Sequence, residues 1–228
     1  MDRWALLVGL DHFQGRTRPN SGSVGDVNDM KDALVRGGWR ADHIRVLTDA
    51  GASAEAIRAG LRWLVANSTP VSFSLFSYSG HVKQQGTTES IWPYDNKLIA
   101  DKELAGALKG LRGYAWVNIS GCEAAGFDEG ISSPRRLMTM SSRANEKSYE
   151  MPPDYRNSVF SYYLVDQAMN QQLADTNLDR RVSIQEAFRY TADRATPATE
   201  GQRYGPQHPV IAGGDGTEWF LTGKPGQR

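Results

Sequence analysis

The sequence predicts an α/β protein with a mostly parallel central sheet of about six strands and helices on both faces of that sheet. Short apolar segments alternate along the chain with segments whose apolar residues recur at helical spacing. Some of these apolar segments are nearly continuous, which is typical of strands buried on both faces. An alternation of strands and helices favours parallel pairing, because each helix crosses a face of the sheet between two strands. No internal repeat or linker interrupts the pattern, so we expect residues 1–228 to form a single domain.

The first half of the chain contains three predicted strands. The run Trp-Ala-Leu-Leu-Val-Gly-Leu and a later alternation of serine with large apolar residues both indicate strands. Ser53 is suited to cap the start of a helix, and Gly37 to end one. The predicted strands are 4–10, 44–47 and 71–78, and the predicted helices are 24–35 and a segment from the Ser53 cap to a stop at 67–70.

The second half continues the alternation and ends in a tail rich in glycine and proline. Segments 82–90 and 143–157 are polar and are predicted as loops. The predicted strands are 114–119, 137–141 and 218–222, and the predicted helices are one that begins at Asp101, then 158–172 and 183–194.

Composition and charge exclude several classes of protein. Lys and Arg together number 26, Asp and Glu also number 26, and the formal net charge is therefore zero. This balance argues against a broad surface for nucleic acid or an anionic membrane. No apolar run approaches the ~20 residues of a membrane-spanning helix, and the N-terminus does not resemble a signal peptide. We therefore expect a cytoplasmic protein. The single cysteine, Cys122, excludes an internal disulfide or a cysteine-based zinc cluster.

The chemistry of the chain is expected at the carboxyl ends of the strands, where ligands bind in open α/β sheets. His81 follows the third predicted strand and Cys122 follows the fourth. Neighbouring strands lie ~4.8 Å apart, so side chains at their ends are able to meet. A thiol beside an imidazole forms a nucleophile–base pair. The competing interpretations are an inert buried thiol and a hydrogen-bonded surface histidine. His12, at the end of the first strand, is a second candidate base.

Several short segments of the chain form a set with a known counterpart. They are Trp-Ala-Leu-Leu-Val-Gly-Leu-Asp-His-Phe at 4–13, Val-Gly-Asp-Val-Asn-Asp-Met at 24–30, Tyr-Ser-Gly-His-Val at 78–82, Ile-Trp-Pro-Tyr-Asp at 91–95, Ile-Ser-Gly-Cys-Glu-Ala-Ala-Gly-Phe at 119–127, and Met-Ser-Ser-Arg-Ala-Asn-Glu at 140–146. Across roughly residues 4–195, the sequence resembles the caspase and metacaspase clan of cysteine peptidases, in its bacterial caspase-like branch. The resemblance implies a caspase-hemoglobinase-like fold.

Three positions depart from the pattern of that clan. Val82 replaces the usual glycine after the histidine, and Ala125 replaces a glycine after the cysteine. Ser120 stands where an acidic residue usually lies two positions before the cysteine. The cysteine and the histidine are both present, so we expect an active enzyme.

The resemblance implies a mechanism and assigns roles within it. Cys122 attacks the scissile carbonyl, and His81 acts as the base and protonates the leaving amine. The backbone N–H groups of Cys122 and of Gly80 or Val82 form the oxyanion hole. A valine is compatible with this role, because a backbone donor does not depend on its side chain.

The residue before the cut is selected by a pocket whose charge the sequence leaves open. Arg16 and Arg18 lie in the loop that binds aspartate in true caspases, whereas Asp29 occupies the position that binds arginine or lysine in metacaspases. We favour a basic residue, with aspartate as the alternative. The remaining residues predicted to contact substrate are Ser120, Ser141 and Glu150. With a basic preference, Arg135 and Arg136 form a self-cleavage site in the loop after the nucleophile.

A separate segment has the spacing of a calcium-binding loop. Oxygen-bearing side chains occupy the ligand positions except the seventh, Arg181, which would bind through its backbone carbonyl. The sixth position is Arg180, where glycine is usual. The alternative is a capping box that begins the last helix, and both interpretations are compatible. The loop residues are Asp175, Asn177, Asp179, Arg181, Ser183 and Glu186.

The sequence therefore supports one leading hypothesis and two alternatives. The leading hypothesis is a caspase-like cysteine endopeptidase that cleaves protein or peptide substrates under the control of a regulatory protein partner. One alternative is a catalytically silent caspase-like interaction module, and the other is a thiol hydrolase or transferase acting on non-peptide acyl groups. No cofactor is required by this chemistry, and calcium is the one candidate ion.

Overall fold

The computed structural model describes residues 1–222. The last six residues of the predicted domain, 223–228, lie outside the described residues. The strands are β1 (Arg3–Gly9), β2 (Ile44–Thr48), β3 (Phe73–Ser79), β4 (Val82–Gln85), β5 (Thr88–Ile91), β6 (Ile99–Ala100), β7 (Tyr114–Ser120), β8 (Arg136–Met140) and β9 (Val210–Gly213). The helices are α1 (Ser23–Arg36), α2 (Ala54–Asn67), α3 (Asp101–Leu108), α4 (Val159–Ser161, continued by a π-helix over Tyr162–Asn170) and α5 (Ile184–Ala198).

The central sheet has six strands in the order β2-β1-β3-β7-β8-β9. All neighbours pair in parallel except β8 and β9, which are antiparallel. This confirms the predicted α/β class and its mostly parallel sheet. The chain begins near the middle of the sheet and reverses its direction of progress after β2, so β1 and β3 flank the point at which the strand order changes.

Helices cover both faces of this sheet. On one face, Leu6, Phe76 and Val117 pack with side chains of α2 and α3. On the other face, Leu75 and Trp116 pack with side chains of α1, α4 and α5. Successive strand residues point to opposite faces, so the nearly continuous apolar runs fill both layers. Each fully buried large apolar side chain stabilises the fold by about 1.5–3 kcal/mol relative to exposure.

One predicted loop and one predicted strand differ in the structure. Segment 82–90, predicted as a loop, forms the hairpin β4–β5, which joins β6 in a small antiparallel sheet. The hairpin turns at Gly86, whose φ of 65° suits glycine, and its polar residues are tolerated because one face is exposed to water.

The predicted position of the edge strand in the central sheet is also wrong. It is β9, within the tail rich in glycine and proline, and not segment 218–222, where only a bridge between Ser183 and Phe220 forms. Trp219 is fully buried and contacts Phe73 and Tyr114 edge to face, so this segment is held by side-chain packing instead of strand pairing.

No helix within residues 1–222 is long and apolar enough to cross a membrane.

Candidate active site

The turns that follow β3 and β7 meet at the carboxyl edge of the sheet. Ser79 pairs with Ser120 at the ends of these strands, and the Gly80 N–H donates to the Ser120 carbonyl at 3.1 Å. A Cβ atom on Gly121 would lie 2.8 Å from the Gly80 carbonyl oxygen, closer than real Cβ contacts. Glycine at position 121 therefore lets the two backbones touch. This contact brings the turns that carry His81 and Cys122 together.

His81 is held on both sides of its ring and at its backbone. The buried Tyr78 hydroxyl donates to the His81 carbonyl at 2.6 Å. The imidazole stacks on Phe13, with ring centroids 5.0 Å apart, and meets the edge of Trp92. Its Nε2 lies 2.8 Å from the Arg18 carbonyl oxygen. Because a carbonyl only accepts hydrogen bonds, Nε2 carries the hydrogen, and in the neutral ring Nδ1 keeps a free lone pair.

Cys122 sits on a sharp turn between β7 and a short 3₁₀ helix, Ala124–Asp128. The next residue, Glu123, has a left-handed backbone with φ of 51°. Ser141 and Ser142 fix the turn, since both hydroxyls donate to the Gly121 carbonyl. Within residues 1–222, no acceptor receives the backbone N–H of Cys122. That N–H is available to an oxyanion of a bound substrate.

The Cys122 thiol is largely shielded from water. Its Sγ lies 3.8 Å from the Ser148 carbonyl oxygen. Burial raises the pKa of the thiol above its ordinary value, and the charge of Glu123 raises it further, while a backbone hydrogen bond from Ser148 to the sulfur and the charge of Lys147 oppose the shift. The shift favours the protonated thiol over the thiolate at neutral pH.

We expect iodoacetamide to alkylate Cys122 more slowly at pH 7 than it alkylates free cysteine. The raised pKa lowers the thiolate fraction, and only the thiolate reacts. The second-order rate constant, measured by intact mass between pH 6 and 10, should rise past the pH at which free cysteine levels off. A rate plateau below pH 7 would contradict this expectation.

Cys122 and His81 line one cavity of about 300 Å³. Its walls come from the loop before α1, the ends of β3 and β7, and segment 147–150, with Ser158 and Tyr204 completing them. Of the residues predicted from sequence to contact substrate, Ser120 and Glu150 line this cavity, as does Arg18. The structure thus places the two predicted catalytic side chains in a shared, partly enclosed space.

The predicted oxyanion donors are partly corrected. The N–H of Gly80 is already used by the Ser120 carbonyl, so Gly80 is not a free donor. Val82 lies in β4, where it pairs with Ile91, and is outside the cavity lining. Val82 stays a predicted donor, because the bond from the Trp92 N–H to the His81 carbonyl makes Val82 and Ile91 a non-hydrogen-bonded pair. Cys122 is a predicted donor that lines the cavity and whose N–H has no acceptor among the described residues.

Other predicted pocket residues lie elsewhere. Asp29 is outside the cavity lining. Its carboxylate is bound by Arg156 at 3.3 Å and by the Asn157 amide at 3.0 Å. Arg16 is exposed and also outside the lining. Ser141 is fully buried behind the site and holds Gly121 instead of facing substrate. The alternative base His12 is exposed and contacts Asp49, away from the cavity.

Glu150 has a structural role within the lining. Its carboxylate accepts hydrogen bonds from the backbone N–H groups of Ser21 and Gly22, at 2.8 and 3.1 Å, and from the Ser23 hydroxyl at 3.3 Å. It therefore ties segment 147–150 to the loop that begins α1. These bonds keep two walls of the cavity at a fixed separation.

Sequence reasoning missed the acid beneath the cavity, Asp26. It lies in the first turn of α1, on the buried face that carries Val27 and Met30. Its oxygens accept from the hydroxyls of Ser79 and Ser158, both of which line the cavity. Burial raises the pKa of Asp26 to about 7. The available signal was an acid among the apolar positions of an amphipathic helix.

The predicted self-cleavage site is not a free loop. Arg136 is the first residue of β8, and its guanidinium donates to the Gly113 and Leu111 carbonyls. The Arg135 carbonyl accepts from the Ala115 N–H. Cleavage here would require this end of the sheet to open, which corrects the loop placement expected from sequence.

The predicted calcium loop adopts a compact turn. Asp175 accepts from the N–H groups of Asp179 and Arg180, and Arg180 has a φ of 64°, the left-handed backbone usually supplied by glycine. Ser183 and Glu186 form the capping box of α5. Within residues 1–222, no three His, Cys, Asp or Glu side chains are grouped so as to hold a metal ion. Calcium binding through the carbonyl of Arg181 and these oxygens stays a prediction.

Comparison with known proteins identifies the family of this chain. A family model described as the caspase domain matches residues 2–212, so the chain belongs to the caspase domain family. Metacaspase-1 of Mycosarcoma maydis is 33% identical over 120 residues, which cover 45% of this chain and 30% of that protein. Metacaspase-3 of Arabidopsis thaliana is 30% identical over 118 residues, which cover 43% of this chain and 32% of that protein.

These matches support assignment to the cysteine peptidases, a class of hydrolases. The chain spans less than a third of the length of these curated relatives. The crystal structure of protein GSU0716 from Geobacter sulfurreducens superimposes with a TM-score of 0.74 over 99% of this chain and 98% of that chain, at 14% identity. The resemblance to the caspase clan and the caspase-like α/β fold expected from it are both confirmed.

Proposed function

We propose that this chain is a cysteine endopeptidase in which Cys122 is the nucleophile and His81 the general base, and that it cuts after a basic residue. The observation that carries the proposal is the shared cavity. Two side chains from neighbouring central strands line it, and an unpaired backbone N–H lies at the cysteine. An inert buried thiol would not need a histidine and a free backbone N–H beside it.

Each proton transfer in the proposed reaction has a named donor and a named acceptor. His81 Nδ1 accepts the Cys122 proton, and the resulting thiolate sulfur attacks the scissile carbonyl carbon. The carbonyl oxygen becomes an oxyanion that accepts from the Cys122 N–H. Collapse of this intermediate breaks the C–N bond, and the imidazolium gives its proton to the leaving amine. Water, deprotonated by His81, then hydrolyses the thioester and returns the thiol.

The Arg18 carbonyl supports His81 in this cycle. Its contact with Nε2 fixes the tautomer and therefore leaves the lone pair of Nδ1 free to accept a proton. When His81 gains the second proton, the same carbonyl dipole stabilises the positive charge. The main chain thus does the work that a carboxylate side chain does in other catalytic triads.

A basic residue before the cut is favoured by the polar groups of the cavity. Its buried polar side chains include Ser79, Ser120 and Ser158, which offer oxygen atoms. Of the two basic side chains in the lining, Lys147 is paired with Glu123 and Arg18 is exposed. A buried cation that would bind aspartate is therefore not among the described residues of the cavity.

A panel of short peptide amide reporters tests the proposal. The reporters differ only at the residue before the cut, which is Arg, Lys, Asp or Ala. We expect the wild-type chain to cleave the Arg and Lys reporters with the highest kcat/KM. Cleavage of none of the amides would favour the silent interaction module, and turnover of thioesters but not amides would favour the non-peptide acyl hydrolase. A preference for Asp would contradict the basic specificity.

Protein substrates follow from this proposal, since an endopeptidase acts on chains. Control by a regulatory protein and a cytoplasmic location stay predictions. Calcium is added to and omitted from the same reporter assay, so that any dependence on the ion is measured directly.

A further inference from the structure

A buried carboxylate without a counterion lies directly behind the cavity. Asp26 is 4% exposed. Its Oδ2 accepts from the Ser79 hydroxyl at 2.6 Å and the Ser158 hydroxyl at 2.7 Å, and its Oδ1 accepts from the Ser158 N–H at 2.9 Å. None of the ion pairs formed within residues 1–222 includes Asp26. Buried charges are normally paired, so this carboxylate lacks a cation.

The hydroxyl groups in front of Asp26 have a defined polarity. Each serine hydroxyl has one proton, and those of Ser79 and Ser158 are donated to the carboxylate. Ser120 Oγ lies 3.0 Å from Ser158 Oγ, and because the Ser158 proton is already committed, Ser120 is the donor. All three protons are directed towards Asp26. The Ser158 oxygen already accepts from Ser120 and from the Ser161 N–H, so the free lone pairs are those of Ser79 and Ser120. Both of these oxygens line the cavity and are acceptors for a bound group.

We infer that Asp26 is the residue that makes this cavity selective for a positively charged side chain, acting as a positioning residue through Ser79, Ser158 and Ser120. The inference rests on the proposed peptidase function and identifies the acid on which its basic specificity depends. A guanidinium or ammonium group suits both the acceptor oxygens and the carboxylate that lacks a cation, because it donates hydrogen bonds and supplies a positive charge.

Asp26 fits this role better than Asp29, the acid that the sequence suggests. Asp29 has a cationic partner in Arg156, which it shares with Asp166, and its carboxylate lies outside the cavity lining. Asp26 has no such partner, and Ser79 and Ser158, whose hydroxyls donate to it, both line the cavity. It also accounts for Ser120, which stands where the resemblance leads one to expect an acid. The negative charge comes from α1 instead and reaches the cavity through hydroxyls.

The test compares two reporters that differ in charge but hardly in shape. One has arginine before the cut and the other has citrulline, its neutral analogue. We expect Asp26→Asn to lower kcat/KM for the arginine reporter by about 100-fold, mainly through KM, because a buried charge loses its partner. Cleavage of the citrulline reporter and the rate of iodoacetamide alkylation should change little. The matched control is Asp101→Asn, which alters a buried acid of α3 outside the cavity and should keep the arginine preference.

Several results would overturn the inference. One is an Asp26→Asn variant that keeps the arginine-to-citrulline ratio of the wild type, or that loses both reporters equally. Another is loss of the preference in Asp29→Asn but not in Asp26→Asn. If Asp26→Asn does not fold, Ser120→Ala replaces it, with an expected loss of about tenfold in the same ratio for one hydrogen bond. An unchanged ratio in that variant would also overturn the inference.

A binding measurement separates this inference from the peptidase function. Butylguanidinium and neutral butylurea are titrated into Cys122→Ala, with and without Asp26→Asn, and the melting temperature is followed. Stabilisation by butylguanidinium alone, lost with Asp26→Asn, supports the cation site even in a chain that cleaves nothing. Equal effects in both backgrounds would overturn it. Wild-type cleavage after Asp in preference to Arg would also overturn it while leaving the peptidase function intact.

Discussion

Cys122→Ala is expected to lower cleavage of the best reporter amide by at least about 10⁴-fold, which is the scale seen when a catalytic nucleophile is removed. The thiol sulfur forms the bond to the scissile carbonyl, and the described chain has no other cysteine to replace it. The fold should persist, because Cys122 lies on a turn whose geometry is set by Gly121 and its serine partners. Reporter fluorescence gives the rate, and circular dichroism with thermal melting checks the fold.

Two histidines at the same edge of the sheet provide the matched control for the dyad. His81→Ala should lose about 10²–10⁴-fold in kcat, the usual contribution of a general base. His12→Ala should keep wild-type kcat, since its ring is exposed and contacts Asp49 instead of the cavity. Equal losses in the two variants, or a Cys122→Ala variant that still cleaves the reporter, would contradict the assigned dyad.

The second large effect is a pH dependence of stability that comes from Asp26. The pKa of this carboxyl is raised to about 7 in the folded chain, from an ordinary value of 3.8. Between these values the unfolded chain loses the proton while the folded chain keeps it. The free energy of unfolding therefore falls as pH rises from about 4 to about 7, and is constant above that range. The fall expected from this group alone is about 4 kcal/mol, at 1.36 kcal/mol for each unit of pKa.

Urea unfolding of the wild type and of Asp26→Asn at pH 5, 6, 7 and 8 measures the contribution of Asp26, as the difference between their free energies of unfolding. The stability of the variant relative to the wild type should increase across this range and then level off. The control is Asp42→Asn, because the pKa of this exposed acid is held below its ordinary value by Arg40, outside the window. Its curve should run parallel to that of the wild type. Parallel curves for Asp26→Asn would contradict an uncompensated carboxylate at this position.

Much of the fold was predictable because local pattern and tertiary environment agree. The apolar run that became β1 and the alternation that became β3 are buried as their sequences indicate. Ser53 caps α2 as predicted, accepting from the Ala56 N–H. The β4–β5 hairpin was not predictable from apolar periodicity, because its exposed glutamines carry no such signal. Strand β9 gains its pairing from β8, a partner far away in sequence.

The candidate site likewise has residues that the sequence could predict and residues that it could not. His81 and Cys122 were predictable because each directly follows a strand, and parallel strands bring their carboxyl ends to one edge. Asp29 was selected from a motif, but the motif does not show that its carboxylate is paired with Arg156, a residue distant in the sequence, outside the cavity lining. Gly80 was selected as an oxyanion donor, but its N–H is used where β3 pairs with β7.

The sequence by itself determined the order of strands and helices along the chain, the sheet class and the two candidate catalytic side chains, because these depend on residues close together in sequence and on the alternation of strand and helix. The tertiary structure alone decided which charges are free. Whether a carboxylate such as Asp26 or Asp29 has a counterion depends on residues more than a hundred positions away, among them Ser158 and Arg156. Burial and pairing set the cost of a charge, and both are properties of the folded environment.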